Sequence, residues 1–240
     1  MRNHAAPAEA NEQGEDTIVT QLFKGYRFTV CTTPARAALA LEVRRQVYRE
    51  SGYDVPVPDE YDGRSWLLLA EDMRTGKPVG SLRMTPRFAG VLECEEYFTL
   101  PSKLATPYAI ELTRFAILPE YRKGKTFLPI VSMGLFKLVW QIMRKTGARF
   151  MVVASKPERI WTYEWLWFVR SGITARYTKL AGAEHELLWS DFRKSVKQID
   201  RHAFADFFRD IDYREVLVPT RMPGFGIVPD VERPAFAANA

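Results

Sequence analysis

The stretch that decides the fold is residues 109–125, AIELTRFAILPEYRKGK. It begins as an apolar, strand-like run that contains a carboxylate and a guanidinium three residues apart, Glu111 and Arg114. Burying such charges is costly unless they are paired or used. The run leads into the basic loop Arg122-Lys123-Gly124-Lys125 and then into a long apolar helix signal. A strand, a cationic glycine loop and a helix in this order present backbone N–H groups to an anionic cofactor, although a structural ion pair would leave the same Glu111–Arg114 pattern.

Length and composition predict one globular domain. The chain has 240 residues, of which 47% are hydrophobic, enough for a full core. We expect a disordered tail over residues 1–20, the folded domain over residues 21–215 and a loosely ordered tail over residues 216–240. The N-terminus lacks a signal-peptide pattern, and the longest uncharged stretch near the middle, residues 126–136, is too short to cross a bilayer.

Cysteine and histidine usage indicates a cytoplasmic protein without a metal. Cys31 and Cys94 lie far apart in the sequence, which predicts free thiols in a reducing compartment. The three histidines have no metal-ligand spacing, so we expect neither a structural nor a catalytic metal.

Positive charge is concentrated in one segment. Residues 121–159 contain nine Lys or Arg and one acid, a net charge of +8, which leaves −3 for the rest of a chain whose total is +5. Such a field favours an acidic partner or a phosphate-bearing ligand, although a solvated helix face is the simpler explanation. Nucleic acid is disfavoured because no known binding signature is present and the basic residues interrupt an apolar helix.

Hydrophobic periodicity predicts a mixed α/β domain. Strands are predicted over residues 22–30, 65–71, 79–85, 108–118, 150–154, 173–180 and 186–189, and helices over residues 34–49, 126–146, 157–170 and 192–208. Residues 74–77, RTGK, predict a hairpin. An antiparallel front half is thus followed by strand–helix–strand–helix–strand.

Further motifs point to a family. In order they are Arg44-x-x-Val47-Tyr48, an aromatic residue at Tyr53, Asp59-x-Tyr61-Asp62, Val79-Gly80-x-x-Arg83-x-x-Pro86 and Glu111-x-x-Arg114-Phe115-Ala116. Over about residues 20–190 the chain resembles the acyl-homoserine-lactone (autoinducer) synthases and the N-acyl amino acid synthases of the GNAT acyltransferase superfamily. This implies a GNAT-like fold, with a central mixed, mostly antiparallel sheet flanked by helices. The chain departs from autoinducer synthases at Tyr53, where they usually carry Trp, and in its unusually aromatic residues 156–172.

The implied chemistry is aminolysis of an acyl thioester, which needs a base for the amine and donors for the oxyanion. We expect Glu111 to be the general base, acting through a water, because a carboxylate in an apolar strand has a raised proton affinity. Arg114 and Asp62 complete the expected catalytic set. The superfamily places a β-bulge in this strand, which implies that an N–H of Phe115, Ala116 or Ile117 faces the thioester carbonyl.

A second set of polar residues is expected to bind the amine substrate. Guanidinium groups suit a substrate carboxylate, and Asp59 and Asp62 suit an α-ammonium. A salt-bridge network that orders residues 51–62 would use the same side chains. The expected substrate-binding residues are Arg44, Tyr48, Tyr53, Asp59 and Arg83.

The implied donor is the acyl-phosphopantetheine of an acyl carrier protein, or acyl-CoA, with no cofactor bound permanently. Three further sets of residues are assigned to it. Donor binding is expected at Phe115, Ala116, Ile117, Arg122, Lys123, Gly124 and Lys125; an acyl pocket at Phe136, Trp140, Trp161, Trp165 and Phe168; and carrier-protein docking at Arg144, Lys145 and Arg149. Ordinary core packing explains the aromatic set equally well.

The predicted function is therefore transfer of a fatty acyl group to the amino group of a small, amino-acid-like amine. The product is an N-acyl amino acid or an acyl-homoserine-lactone-like compound. Two alternatives remain: an acetyl-CoA-dependent N-acetyltransferase and a catalytically inactive protein that binds acyl carrier protein.

Overall fold

A computed structural model describes residues 19–122, 129–201, 205–209, 221–222 and 231–232. Eight strands form one sheet in the order β1-β2-β3-β4-β5-β6-β8-β7. They are β1 (Val19–Phe23), β2 (Tyr26–Val30), β3 (Trp66–Asp72), β4 (Lys77–Pro86), β5 (Ala109–Ile117), β6 (Phe150–Ser155), β7 (Val169–Tyr177) and β8 (Ala183–Asp191). Neighbouring strands are antiparallel except β5 and β6, which are parallel. Strands β9 (Arg221–Met222) and β10 (Val231–Glu232) form a separate antiparallel pair.

Helices cover both faces of the large sheet. They are α1 (Pro34–Glu50), α2 (Ile130–Thr146), α3 (Ile160–Trp165), α4 (Phe192–Gln198) and α5 (Ala205–Arg209). Leu67 and Leu69 pack in the cluster beneath α1, whereas Leu68 and Ala70 pack in the cluster beneath α2. Because successive strand side chains point to opposite faces, α1 and α2 lie on opposite sides of β3.

Helix α1 begins and ends within one residue of its predicted bounds, whereas α2 ends at the predicted residue but begins at Ile130 instead of residue 126. Thr33 caps α1 by accepting a hydrogen bond from the Arg36 N–H, and Pro34 occupies the first turn, where its missing N–H is not needed. Helix α2 follows Pro129 and ends at Gly147, whose φ of 67° suits glycine. None of the helices in the described part of the chain has the length and hydrophobicity that a membrane span requires.

The sheet is irregular at the centre of β5. Ser81 of β4 pairs with Ala116, but Arg83 pairs with Thr113, so β5 contains one extra residue there. Arg114 has a φ of 54°, and a left-handed residue at an extra position is the mark of a β-bulge. Pairing between β5 and β6 extends only from Ala109–Phe150 to Glu111–Val152, so the two strands separate beyond Glu111. The predicted GNAT-like fold and the implied bulge are confirmed.

Three sequence-based predictions of local structure were wrong. The single strand over residues 22–30 is a hairpin, because Lys24 and Gly25 have φ values of 49° and 83° and turn the chain between β1 and β2. The helix predicted to reach residue 170 ends at Trp165, since Trp167 has a φ of 63° and β7 starts at Val169. The helix predicted over residues 192–208 is divided into α4 and α5. The predicted tails lie largely outside the described residues.

Candidate active site

A cavity of about 190 Å³ lies where β5 and β6 separate. Its walls differ on the two sides of the sheet, since alternate strand residues face α1 and α2. On the α2 side the lining is mainly apolar and includes Leu112, Phe115, Phe136, Val153 and Tyr163. On the other side it is mainly polar and includes Tyr48, Tyr53, Glu93, Thr113, Arg114, Lys156, Tyr177 and His185. One cavity thus joins a hydrophobic compartment to a hydrogen-bonding one.

Two buried arginines hold Asp62 next to this cavity. Arg44 Nη1 donates to Asp62 Oδ2 at 2.9 Å, and its Nη2 lies 2.8 Å from Oδ1. Arg83 Nη1 lies 3.3 Å from the same Oδ1 and also contacts Asp59. Burial alone raises the proton affinity of Asp62, but the guanidinium groups of Arg44 and Arg83 hold its pKa below the ordinary value. Asp62 therefore remains an anion, which makes it a poor base.

Glu93 completes the charge balance of this network. It lies between Arg83 and Arg114 and contacts both guanidinium groups. Arg114 Nη2 also lies 3.1 Å from Asp59 Oδ2. Three arginines, at positions 44, 83 and 114, thus face three carboxylates, at positions 59, 62 and 93. Pairing of this kind offsets the cost of burying the charges, so the alternative role of ordering the loop over residues 51–62 fits the observed contacts.

Glu111 is a fully buried carboxylate that forms no salt bridge within the described residues. Its Oε2 accepts the Glu93 N–H at 2.8 Å, and its Oε1 accepts the Cys94 N–H at 3.0 Å. Burial raises the pKa of Glu111 to about 7, and the neighbouring Glu93 carboxylate adds to the effect. A carboxylate that titrates near neutral pH is suited to accept a proton from an amine. Glu111 contacts the turn that carries Glu93 and does not itself line the cavity, whereas Glu93 does.

The bulge brings the predicted catalytic pair to one side of the sheet. In a regular strand Glu111 and Arg114 would face opposite ways, yet both contact Glu93. The Arg114 guanidinium also lies 5.9 Å from the centre of the Tyr48 ring. Tyr48 in turn packs edge-to-face on Tyr53, with 5.8 Å between ring centroids. Of the predicted catalytic and substrate-binding residues, Arg114, Tyr48 and Tyr53 line the cavity. The others do not line it and are connected to it through the contacts of Glu93 and Arg114, namely Glu111, Asp62, Arg44, Asp59 and Arg83.

Sequence reasoning missed several cavity residues, and two of them, Glu93 and Lys156, are charged. Glu93 begins a short 3₁₀ turn, Glu93–Glu96, in a connection without periodicity, and the only available signal was its cluster of acids. Lys156 counted only toward the basic segment. Its Nζ donates to the Tyr53 hydroxyl at 2.7 Å. Within the described residues, no group of His, Cys, Asp or Glu side chains is placed to hold a metal ion.

The structure describes only some of the residues predicted to bind the acyl donor. Phe115 lines the cavity, whereas Ala116 and Ile117 are buried and return to register with β4. Arg122 is exposed, and its Nε donates to the Ile117 carbonyl at 2.7 Å. Lys123, Gly124 and Lys125 lie outside the described residues.

Three of the five predicted acyl-pocket residues line cavities. Phe136 lines the main cavity and also a second, smaller apolar cavity, which Trp140 and Phe168 line as well. Leu112 is likewise shared by the two. Trp161 is 41% exposed, and neither it nor Trp165 lines either cavity. The helical spacing of Trp161 and Trp165 therefore does not place them in an acyl pocket.

The three predicted carrier-docking residues lie far from the bulge. Arg144 and Lys145 are in the last turn of α2, and the Arg149 N–H bonds to the Tyr108 carbonyl at the start of β5. Seven residues of strand, roughly 20 Å at the usual rise, separate that point from Phe115. All three side chains are exposed, but Arg149 Nη2 lies 3.2 Å from Asp191. The cavity lies toward the other end of β5, where Arg114 and Phe115 line it.

Comparison with known proteins identifies the family. The family model described as N-acyl amino acid synthase FeeM matches residues 40–191, more than half of the chain. The chain belongs to this family. As a FeeM-family protein it is an N-acyltransferase, and the matched residues include all the motifs from Arg44 to Ala116. A search of curated protein sequences gave no match.

Solved structures agree with the fold. The structure of FeeM, an N-acyl amino acid synthase from uncultured soil microbes, aligns with a TM-score of 0.61 at 14% identity, covering 76% of this chain and 96% of that one. An N-acetyltransferase structure from Lactobacillus plantarum aligns at 0.50 and 13% identity, covering 70% and 99%. Ribosomal-protein-S5-alanine acetyltransferase from Vibrio fischeri aligns at 0.50 and 13% identity, covering 72% and 96%. At these identities the likeness establishes the fold alone.

Proposed function

We propose that this FeeM-family protein transfers a fatty acyl group from a phosphopantetheine thioester to the amino group of an amino acid. The product is an N-acyl amino acid or a lactone-like relative. The observation that carries the proposal is the cavity with two chemically different ends at the bulge of β5. Its apolar end adjoins a second apolar cavity of about 20 Å³, because Leu112 and Phe136 line both. An acetyl group would not need this apolar surface.

The chemistry follows from the position of the polar residues. The amine nitrogen attacks the thioester carbonyl, a C–N bond forms and the C–S bond breaks, and the thiolate leaves and takes up a proton. Glu111 receives the amine proton through a water and returns it to the leaving thiolate, because its pKa of about 7 suits both uptake and release. A backbone N–H at Phe115, Ala116 or Ile117 stabilises the oxyanion, and of these residues Phe115 lines the cavity.

The donor enters, in this proposal, at the end of the sheet where β5 and β6 separate. Helix α2 crosses between two parallel strands, so its N-terminus lies at that end and attracts phosphate. Arg122 and Arg159 are exposed in the segments that follow β5 and β6. A carrier protein would therefore dock there more readily than at Arg144 and Lys145.

A thiol-release assay on the purified protein tests the proposal. Lauroyl and acetyl thioesters of both CoA and acyl carrier protein are offered with each of the common amino acids. We expect thiol release with a lauroyl donor that depends on the amino acid, together with an acylated product. Rapid release from acetyl-CoA alone would favour an acetyltransferase, and carrier binding without release from any donor would favour an inactive binding protein.

A further inference from the structure

Lys156 differs from the arginines in and near the cavity in its hydrogen-bond partner. Arg114, which also lines the cavity, is engaged by Asp59 and Glu93, and Arg44 and Arg83 are engaged by the same acidic network. Lys156 has no carboxylate partner within the described residues and instead donates to the Tyr53 hydroxyl at 2.7 Å. The guanidinium groups expected to bind a substrate carboxylate are thus already paired, whereas this ammonium is not.

We infer that Lys156 and Tyr53 together bind the carboxylate of the acceptor and make the enzyme select free amino acids over amines without a carboxylate. This inference rests on the proposed function. The Lys156 ammonium has two N–H groups beyond the one given to Tyr53, and the Tyr53 hydroxyl keeps its own proton to donate. Two adjacent donors, one of them charged, match the two oxygens of a carboxylate.

Lys156 and Tyr53 lie on the side of the cavity where the acceptor must bind for its amino group to reach the thioester. Val152 and Ala154 of β6 pack in the second core cluster, on the face away from α2. Lys156 follows the strand by one residue in an extended conformation, so it continues this alternation. This face also carries Glu111 and the Glu93 turn. A carboxylate at Lys156 therefore holds the acceptor on the polar side of the cavity, with the acyl chain on the α2 side. Its amino group can then reach the bulge between them.

A second observation indicates that this end of the cavity receives a polar ligand. The Tyr177 ring is 5% exposed and lines the same end, yet its hydroxyl has no hydrogen-bond partner within the described residues. Buried hydroxyls are normally satisfied. A bound polar ligand would supply the missing partner, which a purely apolar occupant could not do.

The test compares amino acids with their own carboxamides, which keep the amino group and side chain but lose the negative charge. Steady-state kinetics with a lauroyl thioester are measured for the wild-type protein, Lys156→Met and Tyr53→Phe. Lys77→Met is the control, since Lys77 is an exposed lysine that pairs with Glu120 away from the cavity. For Lys156→Met we expect the KM for the amino acid to rise about 10–100-fold with kcat little changed. The KM for the carboxamide should stay at the wild-type value, and Tyr53→Phe should give a smaller rise of the same kind.

The possible outcomes separate the inference from the proposed function. Equal use of amino acid and carboxamide by the wild-type protein would overturn the inference and leave acyl transfer standing. A Lys156→Met variant whose KM rises equally for the amino acid and its carboxamide would also overturn the inference. A variant whose KM rises only for the thioester would do the same. Absence of thiol release with every acceptor would overturn the proposed function itself, and with it the inference.

Discussion

Replacement of Glu111 by Gln is the sharpest perturbation of the site. The side chain keeps its size but loses its charge and one of its two acceptor oxygens. If Glu111 is the general base, turnover should fall about 10²–10⁴-fold, the usual contribution of such a group. Near-normal turnover would show that the base lies elsewhere. Glu93, which lines the cavity but is paired with Arg83 and Arg114, and Asp62, which is paired with Arg44 and Arg83, would then be replaced in the same way.

The same substitution has a structural cost that must be separated from the chemical one. Glu111 accepts N–H groups from both Glu93 and Cys94, and a glutamine amide would place its NH₂ against one of them. An unsatisfied buried donor costs about 1–3 kcal/mol, which urea denaturation would measure. Glu95→Gln is a control in the same turn, because Glu95 accepts the Leu92 N–H at 2.8 Å, pairs with Arg87 and does not line the cavity. It should lose stability through the mismatched amide and the weakened Arg87 pair while keeping most activity.

The pH dependence of activity separates the catalytic role of Glu111 from its structural role. A base must be ionised to accept a proton, so wild-type kcat/KM should rise as pH increases through about 7. The ratio of wild-type to Glu111→Gln activity, measured with one amine, cancels the amine's own ionisation and should rise over the same range. Because the folded pKa lies above the ordinary 4.5, Glu111 contributes stability that is lost as pH rises from about 4.5 through 7. A flat activity ratio would confine Glu111 to its structural role.

Four further substitutions test other parts of the molecule. Arg114→Ala should abolish turnover and lower the free energy of unfolding by about 3–5 kcal/mol, since Asp59 and Glu93 lose a buried cation; an unchanged urea midpoint would contradict the pairing. Phe136→Ala should shift the preferred acyl chain to greater length in a competition among thioesters, because this ring lines both cavities; an unchanged preference would place the chain elsewhere. Arg122→Glu should raise the KM for acyl carrier protein several-fold at low salt, while Arg144→Glu should not; the opposite ranking would move docking to the far end of α2.

The order of elements and the charged core residues could be predicted from the sequence. Glu111 and Arg114 stand out because charges are rare in an apolar strand, and helix α1 is marked by its cap and its proline. The bulge that brings the two side chains together came only from the family resemblance. An extra residue in a strand changes the pairing partner and leaves no periodic signal of its own.

Other features depend on contacts between distant segments. Glu93 pairs with Arg83 and Arg114 across loops whose length does not determine their path, so no local pattern could assign it. The spacing of Trp161 and Trp165 defines a helix face but not what covers it, and Trp161 proved to be exposed. The hairpin at Lys24 was missed because a lysine with positive φ is uncommon.

The central claim is tested most directly by mass spectrometry of lipid extracts from a host that overexpresses the protein, with the Glu111→Gln variant as the matched control. The proposed function predicts species whose masses equal a fatty acid plus an amino acid minus water, or the corresponding lactone. They should be abundant with the wild-type protein and near background with the variant. Wild-type extracts without such species, from cells in which the protein is folded and releases thiol from acetyl-CoA, would contradict the claim and identify an acetyltransferase instead.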